Sequence, residues 1–352
     1  MKKILTSIVL LLFALLPFRA YASEGAQEGK ELNIPEIVLE HLADSYEWHI
    51  ATYEGKSIHI SLPVIIRSSQ TKDWYICTVE NLPEGFFINP EHHNKIYEKM
   101  ADGTVERPLD LSITKVVAEI LIVVAILLTV FCSCARWYRK RDEITEAPKG
   151  FVGAMEMLVM YILDEVVKPA LGEKHYRKYA GYLLSIFFFI LVTNLMGLIP
   201  VLPGGVNVTG NINITLSLAV FTMIVINVFG NREYWKEVFW PEVPMFLKFP
   251  VPLMPLIEFF GILTKPFALM IRLFANMMAG HAVMLSFTCV IFLGWTMGTG
   301  FGVGLNIFSV IMLLFMNALE LLVAFVQAYV FTMLSAVFIG LAHKEHHQEQ
   351  EA

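Results

Sequence analysis

The sequence predicts an all-α polytopic membrane protein with a small α+β module on its outer side. Three observations predict it. Of 352 residues, 56% are hydrophobic and 16% charged; the apolar residues run in long blocks instead of amphipathic stripes; and the loops between blocks alternate between basic and uncharged. The net charge of -6 comes from scattered acids, which argues against a nucleic-acid partner.

Residues 1–22 open with Met1, Lys2 and Lys3, continue through the apolar run Ile4 to Leu16, and reach Ala20, Tyr21 and Ala22 ahead of Ser23. This is the pattern of a cleaved secretory signal, and an uncleaved anchor would leave the following residues on the same outer side. Residues 23–113 form the polar module. Ile34 to Trp48 is expected to hold a short helix, and Ser57 to Ile66 and Asp73 to Val79 read as strands bounded by turn residues. Its histidines His41, His49, His59, His92 and His93 match no metal-ligand spacing, and Cys77, Cys132, Cys134 and Cys289 suggest neither a zinc site nor a disulfide framework.

The membrane domain is expected over 114–343. Its first helix runs from Val116 to Cys134, and Arg136 to Arg141 behind it supply a basic cluster that marks the cytoplasmic side. Gly150 to Leu171 mixes apolar positions with Glu156, Asp164, Glu165 and Lys168, which suits a helix on the inner surface. Tyr182 to Val201 is the second span and ends at an uncharged loop around Pro203 to Gly205. Ile212 to Phe229 returns, followed by Arg232, Lys236 and Lys248.

Two overlong segments follow, from Leu256 to Leu293 and from Leu305 to Ile339, joined by an expected Gly294–Gly304 loop. The second has neither Gly nor Pro. As one helix it is about 50 Å long against a hydrocarbon core of about 30 Å, so a strongly tilted hairpin is expected. The count is five spans with an outer N-terminus, an inner C-terminus and a tail at 344–352. His343, His346 and His347 are expected to belong to a solvated end.

Arg272 lies in an apolar stretch with no acid between Lys265 and Glu320. Inserting such a cation costs about 2.5–3.5 kcal/mol, which marks a functional site with a carboxylate partner elsewhere. At 100° per residue Asn276 lies about 40° from Arg272, Glu258 about 40° round on the other side, and His281 about 180° away. On the last helix Glu320 and Gln327 share a face, with Asn317 one turn before Glu320. A carboxylate and an imidazole in apolar sequence suit a proton relay. The plainer readings are that Glu320 pairs with His281 or Arg272 to reduce the burial cost, and that Asn276 and Gln327 hold helices together.

These residues resemble those of subunit a of the F-type ATP synthase, the stator facing a rotating ring of c subunits. The resemblance runs from Ala118 to His343. It is most specific from Lys265-Pro266 through Arg272-Leu-Phe-Ala-Asn276 to Gly280, and from Glu320 to Gln327-Ala-Tyr-Val-Phe. Thr193 to Pro200, including Asn194, and the stretch from Asn213 to Thr215 are similar to further family segments.

The resemblance implies several roles. Arg272 would be the essential rotor-facing cation, Gln327 the glutamine facing it, and Asn276 its neighbour one turn on. Glu258 and Lys265 would lie near the cytoplasmic exit, and Asn194 and Asn213 would support the site. It also implies a bacterial inner-membrane location, no cofactor, and the c ring, the b-subunit peripheral stalk, the bilayer and protons as partners.

Many bacterial members place Glu nine residues after the arginine and His seven before the glutamine. Here His281 and Glu320 exchange those places, as in mitochondrial members, which argues that the two act together. The outer module lies outside the resemblance. The rival function is a secondary transporter binding an anionic substrate at Arg272, but internal repeats and broken helices are not evident. A membrane hydrolase would need a nucleophile or metal set that the spans lack, and no phosphate-binding glycine loop indicates ATP chemistry in this chain.

Overall fold

The computed structural model describes residues 43–53, 56–89, 94–100, 103–140, 148–199, 204–239, 253–296 and 299–343. The signal sequence, His41, His92, His93, Arg141, Lys248, His346 and His347 lie outside them. The described chain divides into two compact units. The first comprises the chain up to Val123, Leu195–Val208 and Ala279–Glu320; the second comprises Val124–Asn194, Thr209–Met278 and the chain from Leu321 onward.

In the first unit eight short strands come in order: β1 Glu47–Tyr53, β2 Lys56–Ser61, β3 Val64–Arg67, β4 Trp74–Cys77, β5 Phe86–Asn89, β6 Lys95–Lys99, β7 Val105–Glu106 and β8 Leu109–Asp110. They pair antiparallel as β1-β2, β4-β3-β8 and β5-β6-β7. The expected strand from Ser57 to Ile66 is two strands, β2 and β3. Pro63 separates them because it has no N–H to give to a ladder.

The helix expected from Ile34 to Trp48 fails at its described end. Residues 43–46 are not helical, and β1 begins at Glu47, with Tyr46 and Trp48 both buried. The remainder of that segment lies outside the described residues. Tyr46, Val64, Ile66 and Ile96 make the module's core. The buried Glu98 is satisfied by Ser68 Oγ at 2.5 Å and the Ser69 N–H at 2.7 Å. Tyr46 donates its hydroxyl to Asp110, and burial first, then that carboxylate, push the phenol well above its usual range.

The helices are α1 Lys115–Arg139, α2 Phe151–Ile162, α3 Lys168–Gly197, α4 Ile212–Phe229, α5 Arg232–Phe239, α6 Leu253–Thr296 and α7 Thr299–Leu341. Five helical stretches are long and apolar enough to cross a membrane: Lys115–Arg139, Phe151–Gly197, Ile212–Phe229, Leu256–Gly294 and Gly300–Leu341. The chain is therefore mostly helical and fits a polytopic membrane protein. A π-helical turn, Leu163–Val167, joins α2 to α3. Gly172, at φ 70°, then interrupts the helix in a conformation that a side chain would resist. That break separates the segment expected on the inner surface from the second span, which ends at Gly197 instead of Val201.

The last two helices are longer than expected. At 1.5 Å per residue each extends about 65 Å, about twice the hydrocarbon thickness. The expected Gly294–Gly304 loop is mostly helix, since α6 continues to Thr296 and α7 starts at Thr299. Two of its glycines, Gly294 and Gly302, permit close approach of the helices. A Cβ on Gly302 would lie 2.0 Å from the Gly294 carbonyl oxygen. In the second unit Gly340 does the same against Ala170, where a Cβ would come within 2.1 Å of the carbonyl oxygen.

Candidate functional site

The first unit holds the imidazole and carboxylate. Helical geometry on α6 carries His281, and α7 carries Glu320; His281 Nδ1 lies 2.7 Å from Glu320 Oε1. Both are buried, at 8% and 5% exposure. The approach is close, although neither Glu320 oxygen completes a hydrogen bond of good angle. On the ring's other side Nε2 stands 3.4 Å from the Gly197 carbonyl oxygen. A charged imidazole donates from both nitrogens, whereas a neutral ring donates from only one, so gain or loss of a proton changes how this ring is held.

Two glycines make room for the pair. A Cβ on Gly280 would stand 3.0 Å from Glu320 Oε1, and one on Gly197 would stand 3.5 Å from His281 Nε2. The sequence placed His281 and Glu320 on separate helices with compatible chemistry, and the structure brings them into contact.

A third ionisable group in this unit escaped the sequence reading. Glu119, on α1, is fully buried, and its two carboxylate oxygens have no hydrogen-bond partner among the described residues. The available signal was a lone acid inside an otherwise apolar span.

The second unit holds the cation. Arg272 is exposed on α6, and among the described residues no carboxylate pairs with its guanidinium. Gln327 on α7 does face it, but through the main chain: Gln327 Nε2 donates to the Arg272 carbonyl oxygen at 2.8 Å. Asn276 Nδ2 donates to Gln327 Oε1 at 3.1 Å. Both ends of one buried amide are thus used to hold α7 against α6, which is the helix-joining role weighed from the sequence.

Further along α6, Glu258 is half-buried and Lys265 exposed, with Gly261 between them: a Cβ there would lie 3.9 Å from Lys265 Cε and 4.0 Å from Glu258 Oε2. Lys265 Nζ also lies 5.9 Å from the centre of the Phe338 ring. On α5, Tyr234 donates to Asn227 Oδ1 at 3.1 Å; burial, then the negative charge of Glu258, push its phenol up.

Asn194 is buried and accepts from Thr209 Oγ1 at 2.7 Å, tying the end of α3 to the approach to α4. Asn213 stands at the start of α4, one residue after Ile212. The side chain that caps α4 belongs to Asn211, whose Oδ1 accepts the Asn213 N–H at 3.0 Å. His343 is corrected too: it is buried, with Nε2 2.8 Å from the Tyr179 hydroxyl and Nδ1 2.9 Å from the Ile339 carbonyl oxygen. Apolar and polar packing at the end of α7 holds it out of solvent. Among the described residues no group of three His, Cys, Asp or Glu side chains is arranged to hold a metal ion.

The family described as ATP synthase A chain matches residues 117–340, and a domain of unknown function, DUF8433, matches residues 37–112. Similar proteins include the ATP synthase subunit a of Pelodictyon phaeoclathratiforme, 44% identical over 277 residues, 74% of this chain and 77% of that one. The ATP synthase subunit a of Chlorobium phaeobacteroides is 43% identical over 246 residues, 67% of each chain. That of an Anaeromyxobacter species is 32% identical over 346 residues, 94% of this chain and 76% of its own. This last match extends well beyond residues 117–340.

Proposed function

The chain belongs to the ATP synthase A chain family, and on that premise we propose that it is a proton-translocating stator with two offset half-channels separated by Arg272. The observation that carries this reading is the exposed Arg272 guanidinium, set in apolar sequence without a carboxylate from the described residues. Arginine keeps its proton under working conditions, so it acts as a fixed charge. Its partner is a carboxylate on each passing c subunit. As that carboxyl approaches, the guanidinium favours its ionised form and the proton departs before the site passes. The same fixed charge blocks a direct leak between the half-channels.

Protons arrive from outside through His281 and Glu320, whose contact supports a relay, with Asn276 and Gln327 beside the arginine. They protonate the c-subunit carboxylate, which then turns to face lipid. After nearly a full turn they leave toward the cytoplasm by Glu258, with Lys265 nearby. In this reading the chain binds the c ring and the b-subunit stalk, and ATP chemistry belongs to other subunits of the complex. The N-terminus lies outside the bacterial inner membrane after removal of residues 1–22, and the tail from 344 lies inside. Residues 23–113 are the outer module and 114–343 the membrane domain. The length of α6 and α7 supports a strong tilt, which suits the curved side of a ring.

A photo-crosslinker in place of Ala275, an exposed neighbour of Arg272, tests the contact. Capture of the c subunit in assembled membranes is the expected result; capture of lipid alone, with the c ring present, rejects it.

A further inference from the structure

We propose that Glu119 is a proton-exchanging carboxyl group at the outer mouth of the inlet half-channel, receiving protons from outside before His281 and Glu320. This rests on the stator reading and adds a third group to its outer path.

Placement comes first. The α1 helix starts at Lys115, directly below the strand module, whose backbone holds it: Lys115 N–H donates to the Ser45 carbonyl oxygen at 2.9 Å. Glu119 lies one turn further along, about 6 Å down the helix. It is therefore the first carboxyl group met below the outer module, on a helix that is apolar from Ile120 to Leu128.

Its burial is costly without a purpose. Glu119 is 0% exposed, yet neither oxygen has a hydrogen bond among the described residues. The backbone amide of Val206 is close enough to act on it electrostatically but completes no bond of good geometry. An ionised carboxylate needs donors there, and a neutral acid has a hydroxyl hydrogen to give. Water satisfies both forms, so a hydrated, exchangeable carboxyl accounts for the missing partners.

The surroundings connect it to the known pair. Val206 and Gly197 belong to one compact segment, Leu195–Val208; the Val206 carbonyl oxygen lies 3.3 Å from where a Gly197 Cβ would stand. Gly197 in turn presents its carbonyl oxygen to His281. Val206, beside Glu119, and Gly197, beside His281, thus lie close to each other.

The ionisable groups around Glu119 are few. Lys115 lies one turn back on its own helix and Asp44 is on the module above, where its Oδ1 lies 3.5 Å from the Val116 N. Leu195–Val208 supplies none, and Ala279–Glu320 supplies only His281, Cys289 and Glu320. Glu119, His281 and Glu320 are thus the only acids and imidazoles that the membrane-spanning part of this unit contains.

The step balances simply. Hydronium on the outer side gives its proton to the Glu119 carboxylate and becomes water; the carboxylic acid then releases that proton through water to the His281–Glu320 pair and returns to carboxylate.

The test is proton-driven ATP synthesis by the whole complex in vesicles, with the pH on the extracytoplasmic face varied, for wild type, Glu119→Gln, Glu119→Asp and Arg272→Ala. Retention of the c ring is measured for each. The expected result is that Glu119→Gln assembles and shifts half-maximal synthesis toward acid by about one pH unit, while Glu119→Asp returns close to wild type. A wild-type rate and profile in Glu119→Gln overturns the proposal. Equal impairment of Gln and Asp variants, or loss of assembly in both, also overturns it, because the group then serves packing. An inactive Arg272→Ala beside an unchanged Glu119→Gln removes only the role of Glu119; an active Arg272→Ala removes the stator reading beneath it.

Discussion

His281 and Glu320 meet with Nδ1 2.7 Å from Oε1, although one sits on α6 and the other on α7. Because the two side chains share one buried contact, their substitutions should not add. Replacing His281 by Ala or Glu320 by Gln is expected to lower ATP-driven proton pumping by about hundredfold or more each. The double variant should fall little further. A double-mutant cycle on pumping rate, normalised to assembled complex, measures this; strict additivity would separate the two roles.

The exchanged positions of this pair make a stricter demand. The combination His281→Glu with Glu320→His keeps one acid and one imidazole in the same place. It should recover activity that each single exchange loses. Gly280 limits the fit, since a Cβ there would stand 3.0 Å from Glu320 Oε1, and Gly280→Ala is expected to impair pumping even with both partners present.

Gln327 uses both ends of its amide, donating to the Arg272 carbonyl oxygen and accepting from Asn276. Gln327→Leu should therefore destabilise the pairing of α6 and α7 by about 1 kcal/mol, read as a lower thermal unfolding midpoint of the purified complex. Unchanged thermal stability would show that the amide does not support the helix pair.

In the strand module, Tyr46 gives its hydroxyl to Asp110 and is buried. Its phenol is raised in the folded state, so its contribution to stability is fully present below about pH 10, the unfolded value. It is lost as the pH rises further. Alkaline melting of the full chain should show this loss, and Tyr46→Phe should remove that part of the pH dependence.

The sequence carried the helical spans well because lipid imposes long apolar runs, as the agreement at Ile212–Phe229 illustrates. Glycine was harder to interpret. Near Gly294 and Gly302 it signalled a turn by ordinary soluble-protein logic, yet the structure uses it for helix contact.

At the site, helical phase placed Arg272 and Asn276 on one face but said nothing of the main-chain bond from Gln327. That bond depends on how closely α7 approaches α6. Glu119 has no neighbour in its own span that signals a role, and only folding brings Val206 near it. The cap of α4 was not legible either: Asn211 and Asn213 both stand near its start, and only the backbone geometry shows that Asn211 accepts the free N–H.

The central claim, that Arg272 couples proton movement to a rotor, is tested most directly by ATP-driven acidification of inverted membrane vesicles carrying wild type or Arg272→Ala, with c-ring assembly measured in both. The account predicts that the variant assembles with the c ring and cannot pump, while ATP-independent transport is unaffected. Pumping that survives without Arg272, or ATP-independent transport of an anionic solute in its place, would contradict it.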